Sequence, residues 1–126
     1  MRGLAVSLSV LLAVTAGIVV HSIVLKGQMD DFIALTDQAH EAAQAGDFAT
    51  SSAKAQEILE LLSRRQAYLC ATVDYGIIQE CEVMAERARV CLDIESKSNL
   101  LMDLAELRQL FKTIQTSENF SFDNIF

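Results

Sequence analysis

Apolar residues follow two regimes along this chain. From Leu4 to Leu25 (LAVSLSVLLAVTAGIVVHSIVL) they run almost without interruption, and the only ionisable side chain among them is His21. From Gln28 onward they recur every three or four residues, the spacing that places them on one side of a helix. The first regime predicts a membrane span, because a helix of that length is ~33 Å long and a bilayer's hydrocarbon core is ~30 Å thick. The second predicts a small helical domain.

Four helices follow from the second regime. Met29, Phe32, Ile33, Thr36, Ala39 and Ala43 mark one side of a first helix over 28–45. Ala45-Gly46-Asp47-Phe48 then ends it: glycine suits a positive φ just past a helix end, and Asp47 suits the cap of the next helix. A helical hairpin is expected there. The second helix runs from Asp47 to about Leu69, striped by Phe48, Ser52, Ala55, Leu59, Leu62, Gln66 and Leu69 and widened by Ile58, Leu61 and Tyr68. So wide a face suits contact with two neighbours. After a turn over 70–74, Asp74 or Thr72 caps a third helix to about Glu95. Its stripe is Val73, Ile77, Cys81, Met84, Ala88 and Cys91, in steps of four and three that alternate from Ile77 onward. Gly76 in its first turn is costly, and close packing is the expected reason. Ser98 caps a fourth helix from Asn99 to about Gln115, striped by Leu100, Leu101, Leu104, Leu107, Leu110, Phe111 and Ile114. The fold class is therefore all-α: residues 1–27 as an N-terminal transmembrane anchor, then residues 28–126 as an antiparallel bundle of about four helices built from two αα-hairpins.

The closing segment is apolar as well. Phe120, Phe122, Ile125 and Phe126 make it a poor candidate for a disordered end. It either folds back over the bundle or serves as a docking tail for a partner or the membrane surface. Within the span, Ala5, Ser9, Ala13 and Gly17 recur every four residues and form an inclined ridge of small side chains. Such a ridge lets a second helix approach closely, although small residues are also common in spans generally. His21 is expected near the outer boundary of the membrane.

Charge changes the picture of partners. Beyond Lys26 there are 8 Lys and Arg against 17 Asp and Glu, a net of −9. That balance disfavours nucleic acid and anionic headgroups. The expected partners are the lipid bilayer and another integral membrane protein or a second copy of the chain. Arg2 precedes the span and Lys26 follows it, so the positive-inside bias leans weakly toward a cytoplasmic N-terminus. The helical domain then lies outside the cytoplasmic membrane in a single-pass arrangement. Met1-Arg2-Gly3 before an apolar run also suits a signal peptide, with Val14-Thr15-Ala16 as a cleavage site. However, the run continues well past the ~7–15 residues of a signal core, which favours an uncleaved anchor.

Candidate chemistry is sparse. Cys70, Cys81 and Cys91 contain no Cys-x-x-Cys pair, and Cys81 and Cys91 on one helix are ~15 Å apart, too far for a disulfide. Three buried, reduced thiols are expected. No phosphate-binding loop, His-Glu-x-x-His motif or nucleophile elbow is present, and no catalytic, cofactor or metal residues are assigned.

Several residues together carry a resemblance: the Asp47-Phe48 turn, the Leu104-Ala105-Glu106-Leu107-Arg108 run, and the closing Phe122-Asp123-Asn124-Ile125-Phe126. With the overall layout they resemble the domain of unknown function 4363 family, short bacterial proteins mostly from Firmicutes. The resemblance covers almost the whole chain and implies a membrane location and a helical fold. Members often carry a histidine near the start of the third helix; here Asp74-Tyr75-Gly76 stands in its place. The resemblance implies no activity, cofactor or catalytic residue. The leading expectation is a membrane-anchored, non-catalytic protein–protein interaction or scaffold module. The alternatives are an extracytoplasmic ligand-sensing domain, or a secreted helical protein if the N-terminus is cleaved.

Overall fold

The computed structural model describes residues 1–125, apart from the side chains of Thr72 and of residues 117–125. It is all-helical, with no strand among the described residues. Five α-helices follow one another: α1 (Arg2–Gln44), α2 (Phe48–Arg64), α3 (Gln66–Thr72), α4 (Tyr75–Val90) and α5 (Lys97–Ile125), with a 3-10 turn at Ile94–Ser96.

The two apolar regimes share one helix. α1 passes from the continuous apolar run into the periodic one without a break, and the expected first helix is its second half. Gly27 does not interrupt it, because the backbone hydrogen bonds of both halves form one ladder. The N-terminal half is exposed over nearly its whole surface. Its most apolar window has a mean hydropathy of 2.4 and is nowhere buried against the rest of the protein. Among the described residues α1 is the one helix long and apolar enough to cross a membrane, a property that signal sequences share. The C-terminal half buries Leu25, Met29, Phe32, Thr36, Ala39 and Ala43.

The other helices pack around that half. α1 lies against α2 and α5, α2 against α4, and α4 against α5. One core cluster gathers Leu25, Met29, Phe32, Ile58, Leu62, Ile78, Leu107 and Phe111. A second, of smaller side chains, joins Ala39, Ala43, Ala55, Ala88, Leu100 and Leu104. α5 runs opposite to α1. Lys97 Nζ donates to the Gln44 carbonyl at 3.0 Å, Arg108 meets Asp37 at 2.7 Å, and Gln115 donates to the Lys26 carbonyl at 3.1 Å and to Asp30 at 2.9 Å. The first of these places a cation at the negative end of the α1 dipole.

The turn at Gly46 forms as expected. Gly46 has φ +79°, and the Asp47 and Gly46 amides donate to the Ala42 and Ala43 carbonyls at 2.9 and 3.1 Å. This Schellman pattern satisfies two of the carbonyls that a helix end leaves open. Asp47 accepts from the Thr50 amide at 3.1 Å and from its hydroxyl at 2.6 Å.

Elsewhere the boundaries move. The second helix does not run unbroken to Leu69: Arg65, with φ −100° and ψ 8°, separates α2 from α3. The Arg65 amide still donates to Leu61 and its carbonyl still accepts from Leu69, so this is a kink rather than a turn. In the stripe expected for that helix, Gln66 is exposed; Ser51, outside the stripe, is buried where Ser52 is only half-buried, and Ile58, from the widening set, is buried too. The third helix ends at Val90 instead of near Glu95, because Cys91 turns extended and Asp93 caps the 3-10 turn by accepting from the Ser96 amide at 3.0 Å. The Ser52 hydroxyl donates to the Arg89 carbonyl at 2.6 Å and satisfies one open end of α4. Asp74, not Thr72, caps α4, accepting from the Gly76 amide at 2.9 Å. Ser98 lies inside α5, which starts one residue earlier and extends past Gln115 to Ile125.

Candidate functional site

Two features set this chain apart from a closed helical domain: an exposed apolar half-helix, and the junction where that half meets the packed body. The ridge residues Ala5, Ser9, Ala13 and Gly17 all lie on the exposed half. The Ser9 hydroxyl donates to the Ala5 carbonyl at 2.9 Å, so the ridge's one side-chain donor is satisfied inside its own helix. Thr15 does the same toward Leu11 at 2.8 Å. A Cβ added at Gly17 would meet nothing within 4 Å, so the surface there is open. The tail residues Phe120, Phe122, Ile125 and Phe126 are the other predicted surface; the first three lie outside the described side chains, and Phe126 lies outside the described residues altogether.

The junction is built by pairings that sequence periodicity did not predict. His21 is one helical turn before Leu25, the first fully buried residue of α1. Its Nδ1 and the Tyr68 hydroxyl of α3 share a hydrogen bond of 2.6 Å, with ring centroids 5.6 Å apart. Nearly two turns after Leu25, the kink at Arg65 turns its guanidinium toward α1, where Nη2 donates to Asp31 at 3.1 Å. The guanidinium carbon lies 5.7 Å from the centre of the Phe32 ring, a cation–π geometry. Arg65 Nη1 and Gln28 Oε1 are buried polar atoms without a protein partner. The Arg64-Arg65 pair reads from sequence as charge that is solvated or paired with nearby acids, and the pair with Asp31 forms. Only the folded chain reveals that Arg65 is a bracket between the kink and α1.

The thiols separate by environment. Only Cys81 is buried; Cys91 is partly covered and Cys70 is exposed, which corrects the expectation of three buried thiols. On α3 the buried residue is Leu69, and its neighbour Cys70 falls on the exposed side of the same short helix. Burial, reinforced by the flanking Glu80 and Glu82 carboxylates, pushes the Cys81 thiol up to about 12. A thiol so held stays protonated and is a poor nucleophile or metal ligand. Among the described residues, no three His, Cys, Asp or Glu side chains gather as metal ligands do. A cleft between α2 and α4 is lined by Leu59, Ser63, Gln66, Glu82, Glu86 and Arg87, a mixed set with no focused charge.

No curated protein and no solved structure matches the chain. A family model does, over residues 19–125, from the last turns of the exposed half-helix through the end of α5. The match therefore covers the junction and the packed body together. On that extent the chain belongs to the family described as Domain of unknown function (DUF4363).

Proposed function

We propose that this chain is a single-pass membrane protein, anchored by the first half of α1, whose remaining helices form an antiparallel four-helix bundle of two αα-hairpins. The bundle stands outside the cytoplasmic membrane and acts as a non-catalytic interaction or scaffold module. One observation carries the reading: the exposed apolar half of α1 and the buried half are one uninterrupted helix. A bundle on such a stem has no flexible linker, so a contact made in the membrane is transmitted as a fixed orientation outside it. The Ala5, Ser9, Ala13 and Gly17 ridge supplies that contact, with another integral membrane protein or with a second copy. The interior, filled by Phe32, Phe111, Leu62 and Leu107, favours a structural role over ligand sensing between the helices.

Crosslinking in native membranes followed by mass spectrometry tests the proposal. The expected result is a recurrent neighbour, or a second copy, crosslinked through a reporter placed at Ser9. Gly17→Leu should reduce that crosslink several-fold while leaving the helical content unchanged. A protein that emerges alone and monomeric from several mild detergents, with no crosslink from the ridge, overturns it.

A further inference from the structure

We infer that the elbow formed by α3 and the first turn of α4, residues 66–79, is a second membrane contact that rests in the headgroup layer beside the span. The inference builds on the membrane-anchor reading above and adds to it a lipid-facing surface on the helical body itself.

The geometry sets the depth. The Tyr68 hydroxyl reaches Nδ1 of His21, and His21 lies inside the apolar run, four residues before its end at Leu25. Four residues of helix rise ~6 Å, so the Tyr68 hydroxyl is tied to a level one turn within the apolar stretch. With the hydrocarbon core drawn around residues 4–25, the tip of Tyr68 cannot stand in bulk water. On the other sides of α1 at the same height, Val20, Ile23 and Val24 are exposed. Lipid that covers those side chains also surrounds the elbow.

The composition of the elbow fits that depth. The stretch Gln66-Ala-Tyr-Leu-Cys-Ala-Thr-Val-Asp-Tyr-Gly-Ile-Ile-Gln79 holds a single charge, Asp74, in a body that is otherwise strongly acidic. Both tyrosines of the chain are in it. Tyrosine favours the membrane–water boundary, where its ring meets apolar matter and its hydroxyl meets water. Tyr75 is 56 % exposed, and Ala67, Cys70 and Ala71 of α3 are exposed, small and uncharged. The Asp74 side chain is engaged with the Gly76 amide. Within 66–79 there is no Lys or Arg, and the neighbouring Arg65 is held by Asp31, which favours neutral interface over anionic lipid. Two fixed points, span and elbow, would set the tilt of the body on the membrane.

The full chain carries its own reporter, because Cys70 is exposed. With Cys91→Ser to leave one reactive thiol, Cys70 is spin-labelled and the protein is placed in phosphatidylcholine nanodiscs. Collisions with oxygen, which partitions into lipid, and with a water-soluble nickel chelate are then compared. Labels at Leu11→Cys and Ser98→Cys, each in a Cys70→Ser background, mark the lipid and aqueous limits. The expected nickel accessibility at Cys70 is several-fold below that at Ser98, with oxygen accessibility between the two limits; Ala71→Cys should repeat the result. Nickel accessibility at both elbow sites equal to that at Ser98, with Leu11 in lipid, overturns the elbow contact and leaves the span intact. Low accessibility to both reagents identifies a protein neighbour and also overturns the lipid assignment. An aqueous Leu11 label removes the anchor reading itself.

Discussion

Phe32 of α1 and Phe111 of α5 stack ring on ring, with centroids 4.7 Å apart and planes within 14°. Both are fully buried, and they join the stem helix to the last helix at the centre of the larger core cluster. Phe32→Ala and Phe111→Ala are each expected to cost ~3–5 kcal/mol. The double variant should lose less than the sum, by the ~0.5–1.5 kcal/mol that an aromatic pair contributes beyond buried area. Denaturant titration of the four proteins measures this, and strict additivity would show that the stacking carries no energy of its own.

Gly46 and Gly76 should respond in opposite directions to alanine. Gly46 sits at φ +79° with open space around it, so Gly46→Ala is opposed by backbone strain alone, ~1–2 kcal/mol. Gly76 lies in the first turn of α4 with ordinary φ, and a Cβ there would meet only Asp74 Oδ1, at 3.4 Å. Close packing therefore does not account for this glycine. Gly76→Ala should stabilise the protein by up to ~1 kcal/mol through helix propensity. A loss of thermal stability in that variant would point to a requirement for backbone freedom at the elbow.

Asp47 gives one predictable pH dependence. The Thr50 hydroxyl, and then the Thr50 amide, hold its carboxyl below the usual value of 3.8. A carboxylate favoured by the fold stabilises it above its unfolded pKa, and the contribution disappears as pH falls through the lower folded value. Asp47→Ala should therefore lower the melting temperature at neutral pH. Its deficit against the parent should close in acid, below pH 3.8. A deficit that stays constant down to strongly acid pH would mean that the carboxylate charge has no part in the cap.

The cysteines should titrate and react as three different groups. Cys70 is expected to modify rapidly with a maleimide, Cys91 more slowly, and Cys81 only on unfolding. Because the Cys81 thiol is raised from 9.0 to about 12 in the fold, the unfolded chain loses that proton first as pH rises. Stability contributed by Cys81 is thus complete below pH 9 and declines between 9 and 12. Cys81→Ala should flatten that decline even though it lowers stability overall. Mass-mapped modification over a time course would reveal any early reaction at Cys81, which would contradict its burial.

Much of the architecture was legible in residue order. The unbroken apolar run, the three- and four-residue spacing beyond it, and the glycine at 46 follow from local rules of hydrophobic periodicity and backbone sterics. The core lists follow too: Met29, Phe32, Thr36, Ala39 and Ala43 on α1, and Leu100, Leu104, Leu107, Phe111 and Ile114 on α5, are buried as the spacing predicts. The cap at Asp93 was present as a local signal, since aspartate three residues before Ser96 suits a helix start, but the apolar stripe running through Cys91 obscured it. The tertiary structure alone decided where α2 kinks, which thiol faces outward and how α3 meets the stem. Arg65 reads as a surface charge open to any nearby acid until Asp31 and Phe32, distant in sequence, are brought to it. Tyr68 reads as stripe until His21 stands opposite its hydroxyl. Periodicity reports which side of a helix avoids water; it carries no information about which distant polar group that side will meet, because such pairing depends on the relative placement of whole helices.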